Sequence, residues 1–325
     1  MNSALKNHAT YINNKVDTNE ISLSQYISTD NILQNKQGIE CATSLPIQGG
    51  KVTSFKKGDI LLANIRPYLK KIWYAQFDGG CSADVLAIRA NTETDSHFLF
   101  YALFRDDFFI HAMKGAKGTK MPRGDKTQIM EFKIPVFDLK TQQSIAAVLS
   151  TLDKKIALNK QINARLEEMA KTLYDYWFVQ FDFPDANGKP YKSSGGEIVF
   201  DETLKREIPK GWGSIELQSC LAKIPNTTKI LNKDIKDFGK YPVVDQSQDF
   251  ICGFTNDEKS ILNPQDAHII FGDHTRIVKL VNFQYARGAD GTQVILSNNE
   301  RMPNYLFYQI INQIDLSSYG YARHF

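Results

Sequence analysis

The chain of 325 residues has none of the short motifs that bind nucleotides or activate a serine nucleophile. It contains no G-x-x-x-x-G-K-S/T loop, no G-x-G-x-x-G and no G-x-S-x-G. The tetrapeptide Asn-Pro-Pro-aromatic, which amino-methyltransferases use on a flipped base, is missing as well. These absences argue against an ATP-driven motor, a dinucleotide-dependent enzyme, a DNA methyltransferase and a serine hydrolase.

Cysteine and histidine are sparse, and their spacing does not suggest a metal site. The six histidines contain no pair four residues apart, which argues against a helical metal motif. The cysteines never form a C-x-x-C pair, so we expect neither a structural zinc site nor a disulfide framework. The expected state is four reduced thiols in a cytosolic protein: Cys41, Cys81, Cys220 and Cys252.

Long hydrophobic runs are also missing. The longest, such as Phe98 to Phe104, are far shorter than the roughly 20 residues that span a bilayer, and the N-terminus lacks the apolar core of a signal peptide. We therefore expect a cytoplasmic protein with no membrane partner. The net charge of +3, with 42% hydrophobic and 23% charged residues, fits two or three globular domains and permits a polyanionic partner without demanding one.

One segment of the chain occurs twice. Residues 60–88 and 267–295 share an apolar pattern and a Gly-rich turn, and they follow Asp59 and Asp266, which are 207 positions apart. The same offset aligns residues 97–101 with residues 304–308. This repeat predicts two similar modules that contact two places on one target.

The first module is expected to consist of short strands followed by a helix. Turn residues such as Asp78-Gly79-Gly80 separate the strands, and the helix is predicted from Ser96, its capping residue, to Phe109. From 141 to 179 there is neither Gly nor Pro, and apolar residues recur at steps of four and three, which predicts a coiled-coil helix of about 58 Å. Its seam consists of Ile145, Leu149, Leu152, Ile156, Ile162, Leu166, Met169, Leu173 and Tyr176.

The phase of this seam breaks at Asn159 and Asn163. Buried asparagines can fix the register of a coiled coil, and solvent-facing asparagines at a minor irregularity explain the break equally well. Pro184 is expected to end the helix. The predicted class is α+β, with two similar mixed α/β domains joined by a long coiled-coil-type helix: first domain 1–138, spacer helix 139–184, connector 185–209 and second domain 210–325.

Five cations at steps of three form the clearest electrostatic motif, and they alternate with glycines. Glycines allow backbone N–H groups to approach a phosphate closely, and the cations can follow a nucleic-acid backbone. We favour phosphate contact over a solvated, flexible loop, because Met121-Pro122 can anchor the segment. The cations are Lys114, Lys117, Lys120, Arg123 and Lys126.

Polar residues stand at the exit of an apolar strand in each copy of the repeat. Asn64-Ile65-Arg66-Pro67-Tyr68 in the first copy takes the place of Asp273-His274-Thr275-Arg276 in the second. Asn and Arg read adenine and guanine edges, and Asp can accept a hydrogen bond from cytosine. The copies differ most here, as expected of two readers, although capping and turn roles account for the same residues equally well.

A catalytic alternative rests on Asp125 and Glu131-Phe132-Lys133. They loosely resemble the D…E-x-K carboxylate set with which some nucleases hold Mg²⁺. The E-x-K triplet is common by chance, and Lys133-Ile134-Pro135 also fits an edge strand with an outward lysine. A Mg-dependent nuclease using Asp125 and Glu131 and a coiled-coil interaction scaffold are the two alternative functions.

The order domain, long helix, domain resembles the DNA-specificity subunit of type I restriction–modification enzymes over nearly the whole chain. The segments that carry the resemblance are Asn64–Tyr68, Gly79–Ser82, Lys117–Lys126, Gln142–Ile156, Ile208–Trp212, Phe271–Arg276 and Tyr319–Phe325. Arg323 and His324, in the last of these segments, join the predicted DNA-binding residues.

The resemblance implies two target-recognition domains, each of which reads one half of a bipartite DNA site. It implies a helix that sets the spacing between the halves and docks two methylation subunits, and through them the restriction subunit. S-adenosylmethionine, ATP and Mg²⁺ are then expected in those partners, and this chain is expected to be a non-catalytic subunit that binds no cofactor.

The resemblance also implies a second long helix after the second domain, packed antiparallel on the first. This chain stops at Phe325, so the expectation is a truncated chain. The seam of the long helix is then expected to pair with a methylation subunit or with another chain, self-association included.

Overall fold

A computed structural model of the chain describes residues 2–46, 49–118, 120–222, 224, 227–289 and 291–315. The chain divides into two compact units, Met1–Ile162 (unit 1) and Asn163–Phe325 (unit 2). Both units combine short strands with helices, and the predicted α+β class is confirmed. In the described part of the chain no helix is long and apolar enough to cross a membrane.

Unit 1 contains two four-stranded sheets, of order β2-β9-β6-β7 and β3-β5-β8-β4, and a separate β1-β10 pair. Its strands are β1 Asn2–Ala4, β2 Ala9–Tyr11, β3 Lys15–Asp17, β4 Tyr26–Ile27, β5 Lys51–Phe55, β6 Ile60–Ala63, β7 Ile72–Tyr74, β8 Gly79–Cys81, β9 Val85–Ala90 and β10 Lys133–Pro135. Its helices are α1 Ser96–Leu103, α2 Asp106–Lys114, α3 Lys126–Met130 and the first part of α4 Leu139–Tyr174.

Strand β6 separates the two main cores of unit 1. Ile60 and Leu62 pack in the core that contains α1 and α2, whereas Leu61 and Ala63 pack in the core that contains Trp73. Successive side chains of a strand point to opposite faces, so both faces of β6 are covered. This is why the strand appears in the sequence as an unbroken apolar run.

Unit 2 contains sheets of order β14-β13-β18-β15 and β17-β16-β19, and β11 pairs with β12 as a hairpin. Phe307 and Ile311 of its helix α5 pack against Ile269. The elements are β11 Ile198–Asp201, β12 Arg206–Pro209, β13 Tyr241–Val244, β14 Gly253–Thr255, β15 Ile261–Leu262, β16 His268–Gly272, β17 Val278–Val281, β18 Tyr285–Arg287, β19 Thr292–Ile295 and α5 Asn304–Gln313.

The repeated segment folds in the same way in both units. Strand β16 pairs antiparallel with β17 and β19, as β6 pairs with β7 and β9. Strand β18 lies between a parallel partner, β13, and an antiparallel partner, β15, as β8 lies between β4 and β5. Helix α5 follows β19 as α1 follows β9. The sequence repeat is therefore a repeat of strand topology.

Two local predictions in unit 1 are wrong. The predicted helix from Ser96 to Phe109 is two helices, because Arg105 is extended between them, and the cap of the first is Asp95, whose carboxylate accepts the N–H of Phe98 at 2.9 Å. The predicted turn at Gly79-Gly80 is instead strand β8. A Cβ at Gly80 would lie 2.6 Å from the Val52 side chain, so these glycines permit a close approach between elements.

Helix α4 is continuous from Leu139 to Tyr174 and is followed by a π-helical turn, Asp175–Val179. Its start is fixed in unit 1 by the buried side chain of Gln142, which accepts the N–H of Asp95 at 2.9 Å. The helical segment ends before Pro184, because Phe181 adopts a left-handed φ of 65°. The last helical residue, Val179, is the end of the stretch predicted from the apolar pattern, and the spacer bound placed at 184 lies five residues beyond it.

Candidate nucleic-acid interface

The turn that follows β6 carries the first set of predicted DNA-binding residues. Arg66 adopts the left-handed conformation, with φ of 52°, and Pro67–Leu69 forms a short 3-10 turn. A non-glycine residue in this region costs roughly 1–2 kcal/mol. The surrounding structure must therefore hold the turn, and Tyr68 lies half exposed within it.

The segment that contains the five cations, residues 114–126 (the basic loop), provides this support. The N–H of Arg66 donates to the carbonyl of Pro122 at 2.7 Å, and the N–H of Gly124 donates to the carbonyl of Asn64 at 3.0 Å. A Cβ on Gly124 would lie 2.8 Å from Asn64 Oδ1, so a side chain there would push the two segments apart. Two motifs that are separate in the sequence thus form one surface.

All five predicted cations of the basic loop are exposed. Lys117 and Arg123 exchange backbone hydrogen bonds of 2.9 Å, which fold the loop back on itself. The Arg123 guanidinium lies 2.9 Å from the Asp84 carboxylate. The loop is held by its own backbone beside the turn, which favours phosphate contact over a freely solvated segment. The exposed cations are Lys114, Lys117, Lys120, Arg123 and Lys126.

Two buried polar atoms of the first turn have no hydrogen-bond partner among the described residues. They are Asn64 Oδ1 and Arg66 Nε. Buried polar atoms are nearly always paired in folded proteins. These two therefore mark the turn as a place where stability has not been optimised, which is common at functional sites.

The carboxylates of the nuclease alternative have other roles. Asp125 caps α3 by accepting the N–H groups of Gln128 and Thr127, and these bonds hold the pKa of Asp125 below its ordinary value. Glu131 accepts a 2.6 Å hydrogen bond from Lys6 Nζ, which lowers the pKa of Glu131. Within the described residues, no group of three or more His, Cys, Asp or Glu side chains could hold a metal ion. Asp125 and Glu131 are thus engaged in a helix cap and an ion pair.

The second turn follows β16 and is held by different contacts. The N–H of Asp273 donates to the carbonyl of Gly291 at 2.8 Å, and its carboxylate accepts from Gln293 Nε2 at 2.9 Å. Arg276 is left-handed, with φ of 59°, and its N–H donates to the carbonyl of Gly272. The predicted DNA-binding residues here are all exposed: Asp273, His274, Thr275 and Arg276.

The loop Asp245–Asp249 after β13 (the β13 loop) belongs to the same surface, and sequence reasoning missed it. Gln246 Oε1 accepts the N–H of His274 at 3.1 Å, and the Gln246 carbonyl accepts from Thr275 Oγ1 at 2.7 Å. The only sequence signal is a polar run directly after the apolar pair Val243-Val244. Its place beside the turn depends on the order of strands in the sheet, which the run does not reveal.

The remaining predicted DNA-binding residues, Arg323 and His324, lie outside the described residues, as does the whole Tyr319–Phe325 segment. The structure therefore describes the strand-exit turn of the second copy without these two residues. Their assignment stays a prediction.

The predicted seam of α4 is largely uncovered. Six of its side chains are between 46% and 61% exposed: Leu152, Ile156, Ile162, Leu166, Met169 and Leu173. Ile145, Leu149 and Tyr176 are partly covered. Asn159 and Asn163 are exposed as well, so in this chain they face solvent rather than a core.

Comparisons with known proteins show the family to which the sequence is similar. The family model described as "Type I restriction modification DNA specificity domain" matches residues 4–168. The HindI specificity subunit of Haemophilus influenzae is 32% identical over 182 residues, which cover 53% of this chain and 39% of the relative. The EcoDI specificity subunit of Escherichia coli is 32% identical over 123 residues, which cover 37% and 27%. These matches span well under half the length of the relatives.

A solved structure extends the likeness of the fold beyond the matched segment. The S subunit of a type I restriction–modification system from M. genitalium superposes with a TM-score of 0.50 at 16% identity, and the match covers 96% of this chain and 76% of that one. At this identity the likeness concerns the fold alone. Because the family model accounts for half of the sequence, this chain belongs to the type I restriction–modification DNA specificity family.

Proposed function

We propose that this chain is the non-catalytic, DNA-recognising specificity subunit of a type I restriction–modification complex, acting on DNA in the cytoplasm, and that each unit reads one half of a bipartite site. One observation carries the proposal. In unit 1 the strand-exit turn and the exposed basic loop are joined by two backbone hydrogen bonds, Arg66 to Pro122 and Gly124 to Asn64. Unit 2 presents a turn of different composition at the same place on the same strand topology.

The chemistry of the two turns suits different bases. Asn64 and Arg66 match adenine and guanine edges, whereas Asp273 can accept from the amino group of cytosine. The cations of the basic loop suit phosphates, which fix register without reading sequence. The net charge of +3 supplies little additional attraction, so this chain is expected to bind DNA weakly alone and specifically within its complex.

Helix α4 is proposed to set the spacing between the half-sites and to dock the methylation subunits, and through them the restriction subunit. Thirty-six helical residues at about 1.5 Å each give a rod of roughly 54 Å. The uncovered apolar seam supports a helical partner, which the proposal assigns to a methylation subunit or to a second copy of this chain. S-adenosylmethionine, ATP and Mg²⁺ are assigned to the partner subunits.

Salt-dependent DNA binding by the assembled complex tests the first part of the proposal. The double variant Lys117→Ala/Lys120→Ala should weaken binding to every duplex and reduce the slope of log K against log salt by about 2. The matched control is Lys56→Ala/Lys57→Ala, an exposed pair that precedes the opposite end of β6. Equal losses in both double variants would remove the basic loop from the interface, and Mg-dependent cleavage by this chain alone would restore the nuclease alternative.

Assembly tests the second part. Leu166→Glu should abolish association through the seam, whereas Gln161→Glu, an exposed polar position on the same helix, should not. Light scattering across a range of concentrations, with and without methylation subunits, measures both variants. A constant monomer mass in every mixture would contradict the role given to the seam, and assembly without any DNA binding would favour the interaction scaffold.

A further inference from the structure

Unit 2 contains a lysine that is almost completely buried. The side chain of Lys279, on β17, is 4% exposed, and its Nζ donates to the carbonyls of Asp245 at 2.7 Å and Asp249 at 2.6 Å. The Asp245 carboxylate lies 4.0 Å away. Burial lowers the pKa of Lys279, and the Asp245 charge opposes that shift. A buried ammonium is costly unless its donors are satisfied, so these contacts are a specific arrangement.

The two carbonyls that Lys279 holds are the ends of the β13 loop. Asp245 Oδ1 also accepts from the N–H and the hydroxyl of Ser247, which stiffens the loop from within. The loop in turn holds the second strand-exit turn, through the bonds of Gln246 to His274 and Thr275. A continuous chain of hydrogen bonds thus runs from Lys279 to the proposed base-reading turn.

Unit 1 also contains a lysine that donates to the carbonyl of a neighbouring loop. Lys71, half-buried directly before β7, donates from its Nζ to the carbonyl of Thr29 at 2.5 Å. Thr29 follows β4, the parallel partner of β8, as Asp245 follows β13, the parallel partner of β18. The segment between β4 and β5, which contains Thr29, also contacts the end of the first turn. There the N–H of Lys36 donates to the carbonyl of Lys70 at 3.0 Å.

Strand register shows that the two lysines are equivalent. Lys279 lies opposite Ile270 in the β16–β17 pair, and the carbonyl of Lys71 accepts the N–H of Ala63 beside β6. Ala63 and Ile270 are 207 positions apart, which is the offset of the repeat. The turns differ in sequence around these positions. Both units nevertheless have a lysine whose Nζ donates to a backbone carbonyl of the neighbouring loop.

We propose that Lys71 and Lys279 are paired positioning residues for base recognition, each of which fixes the sequence preference of its own half-site by holding a neighbouring loop against the strand-exit turn. This inference rests on the proposed function and names residues that the family resemblance does not. Lys279 acts without touching DNA, because its ammonium group is enclosed by the loop that it holds. The β13 loop thereby becomes part of the reading surface of unit 2.

The test measures each half-site separately. A randomised duplex library is bound by the complex with its methylation subunits, and the retained duplexes are sequenced for wild type, Lys71→Met and Lys279→Met. Lys279→Met should reduce base discrimination roughly tenfold in one half-site and leave the other unchanged, and Lys71→Met should do the reverse. Affinity for a duplex that lacks the site should stay within twofold, because the phosphate contacts remain.

Controls separate positioning from general loss of structure. Lys57→Met and Lys259→Met change exposed lysines of units 1 and 2 and should leave both half-sites intact. Lys279→Gln keeps an N–H donor and should recover part of the discrimination that Lys279→Met loses. If Lys279→Met fails to fold, Gln246→Leu removes the bond to His274 from the same chain, leaves the backbone bond to Thr275, and should give a smaller loss at the same half-site.

The outcomes are distinguishable from failure of the proposed function. A wild-type complex without sequence preference would overturn the proposed function itself. A specific wild type whose Lys71 and Lys279 variants keep both preferences, or lose both half-sites together, would overturn this inference alone. Recovery by Lys279→Gln with reciprocal half-site effects would support it.

Discussion

Units 1 and 2 present their turns on the same strand topology but hold them differently. In unit 1 the turn is fixed by backbone bonds to the basic loop, with Arg66 bonded to Pro122. In unit 2 the turn is held by one backbone bond, from Asp273 to Gly291, and in addition by the side chain of Gln246, whose amide oxygen accepts the N–H of His274. Strand pairing constrains the topology, whereas an exposed turn can change as long as some neighbouring segment supports it. Under the proposed function, the two turns can differ in base preference without a change of fold.

The two units also differ at the aspartates that directly precede the repeated segments, Asp59 and Asp266. Asp59 has a 2% exposed side chain and accepts two 2.7 Å bonds from Arg89. Its counterpart Asp266 is exposed and accepts a hydrogen bond from the amide of Asn304 at 3.4 Å, and the residue 207 positions after Arg89 is Leu296. Unit 1 thus has a buried ion pair where unit 2 has an exposed carboxylate bonded to a neutral amide.

The largest expected effect comes from breaking this charge pair. Arg89→Met should lower the free energy of unfolding of unit 1 by about 2–4 kcal/mol, because it leaves the Asp59 carboxylate buried without its counterion. The partial exposure of Arg89, 37%, keeps the effect below that of a fully buried pair. Urea titrations monitored by tryptophan fluorescence, with Trp73 reporting on unit 1, measure it.

A double variant provides the control for the charge pair. Asp59→Leu/Arg89→Met removes both charges and should recover most of the loss, because an apolar pair carries no desolvation penalty. Asn304→Ala in unit 2 should cost only about 1 kcal/mol, since it removes one bond to a backbone N–H and one long bond to an exposed carboxylate. Equal losses for Arg89→Met and Asn304→Ala would contradict the difference drawn between the units.

An intermediate loss of stability is expected when a side chain replaces a glycine beside either turn. Gly124→Ala should cost about 1–3 kcal/mol, because its Cβ would lie 2.8 Å from Asn64 Oδ1. Gly291→Ala should cost about the same, because φ is +72° and His274 would lie 2.6 Å from the new Cβ. Gly213→Ala, where a Cβ meets nothing within 4 Å, is the matched control, and thermal unfolding ranks the three.

The smallest expected effect is a dependence of unit 2 on acid. Burial lowers the pKa of His268, which lies 3.1 Å from the Tyr285 hydroxyl. His268 is therefore protonated near pH 6.5 in the unfolded chain and only at lower pH in the folded chain. The free energy of unfolding of unit 2 thus falls as the pH drops through 6.5. His268→Gln should flatten the change in Tm between pH 7.5 and 5.5, and the exposed His274→Gln should leave it intact.

The strands were predictable because burial on both faces leaves a direct trace in composition, as in Ile60 to Ala63. The repeat was predictable for the same reason, since matching cores require matching apolar positions in β6 and β16. The break at Arg105 was not, because extended backbone at a charged residue has no signature in side-chain type. The contact of Arg66 with Pro122 was also hidden, since backbone bonds depend on how the chain folds back and not on which residues make them.

The contacts of the β13 loop could not be predicted from the sequence. Gln246 and His274 are 28 positions apart, and they meet only because β13 pairs with β18 in a parallel register. Turn residues could be proposed as readers from their types, whereas the residues that hold the turns, Lys71 and Lys279, are ordinary lysines in the sequence. Their roles emerge from register and burial.

The most direct test of two independent readers is the base preference at each position of the bipartite site. It is measured by sequencing duplexes retained from a randomised library by complexes that carry Arg66→Ala or Arg276→Ala. The account predicts that Arg66→Ala relaxes one half-site and Arg276→Ala relaxes the other, while the spacing between the halves stays fixed. Relaxation of the same half-site by both variants, or a uniform loss at every position, would contradict it.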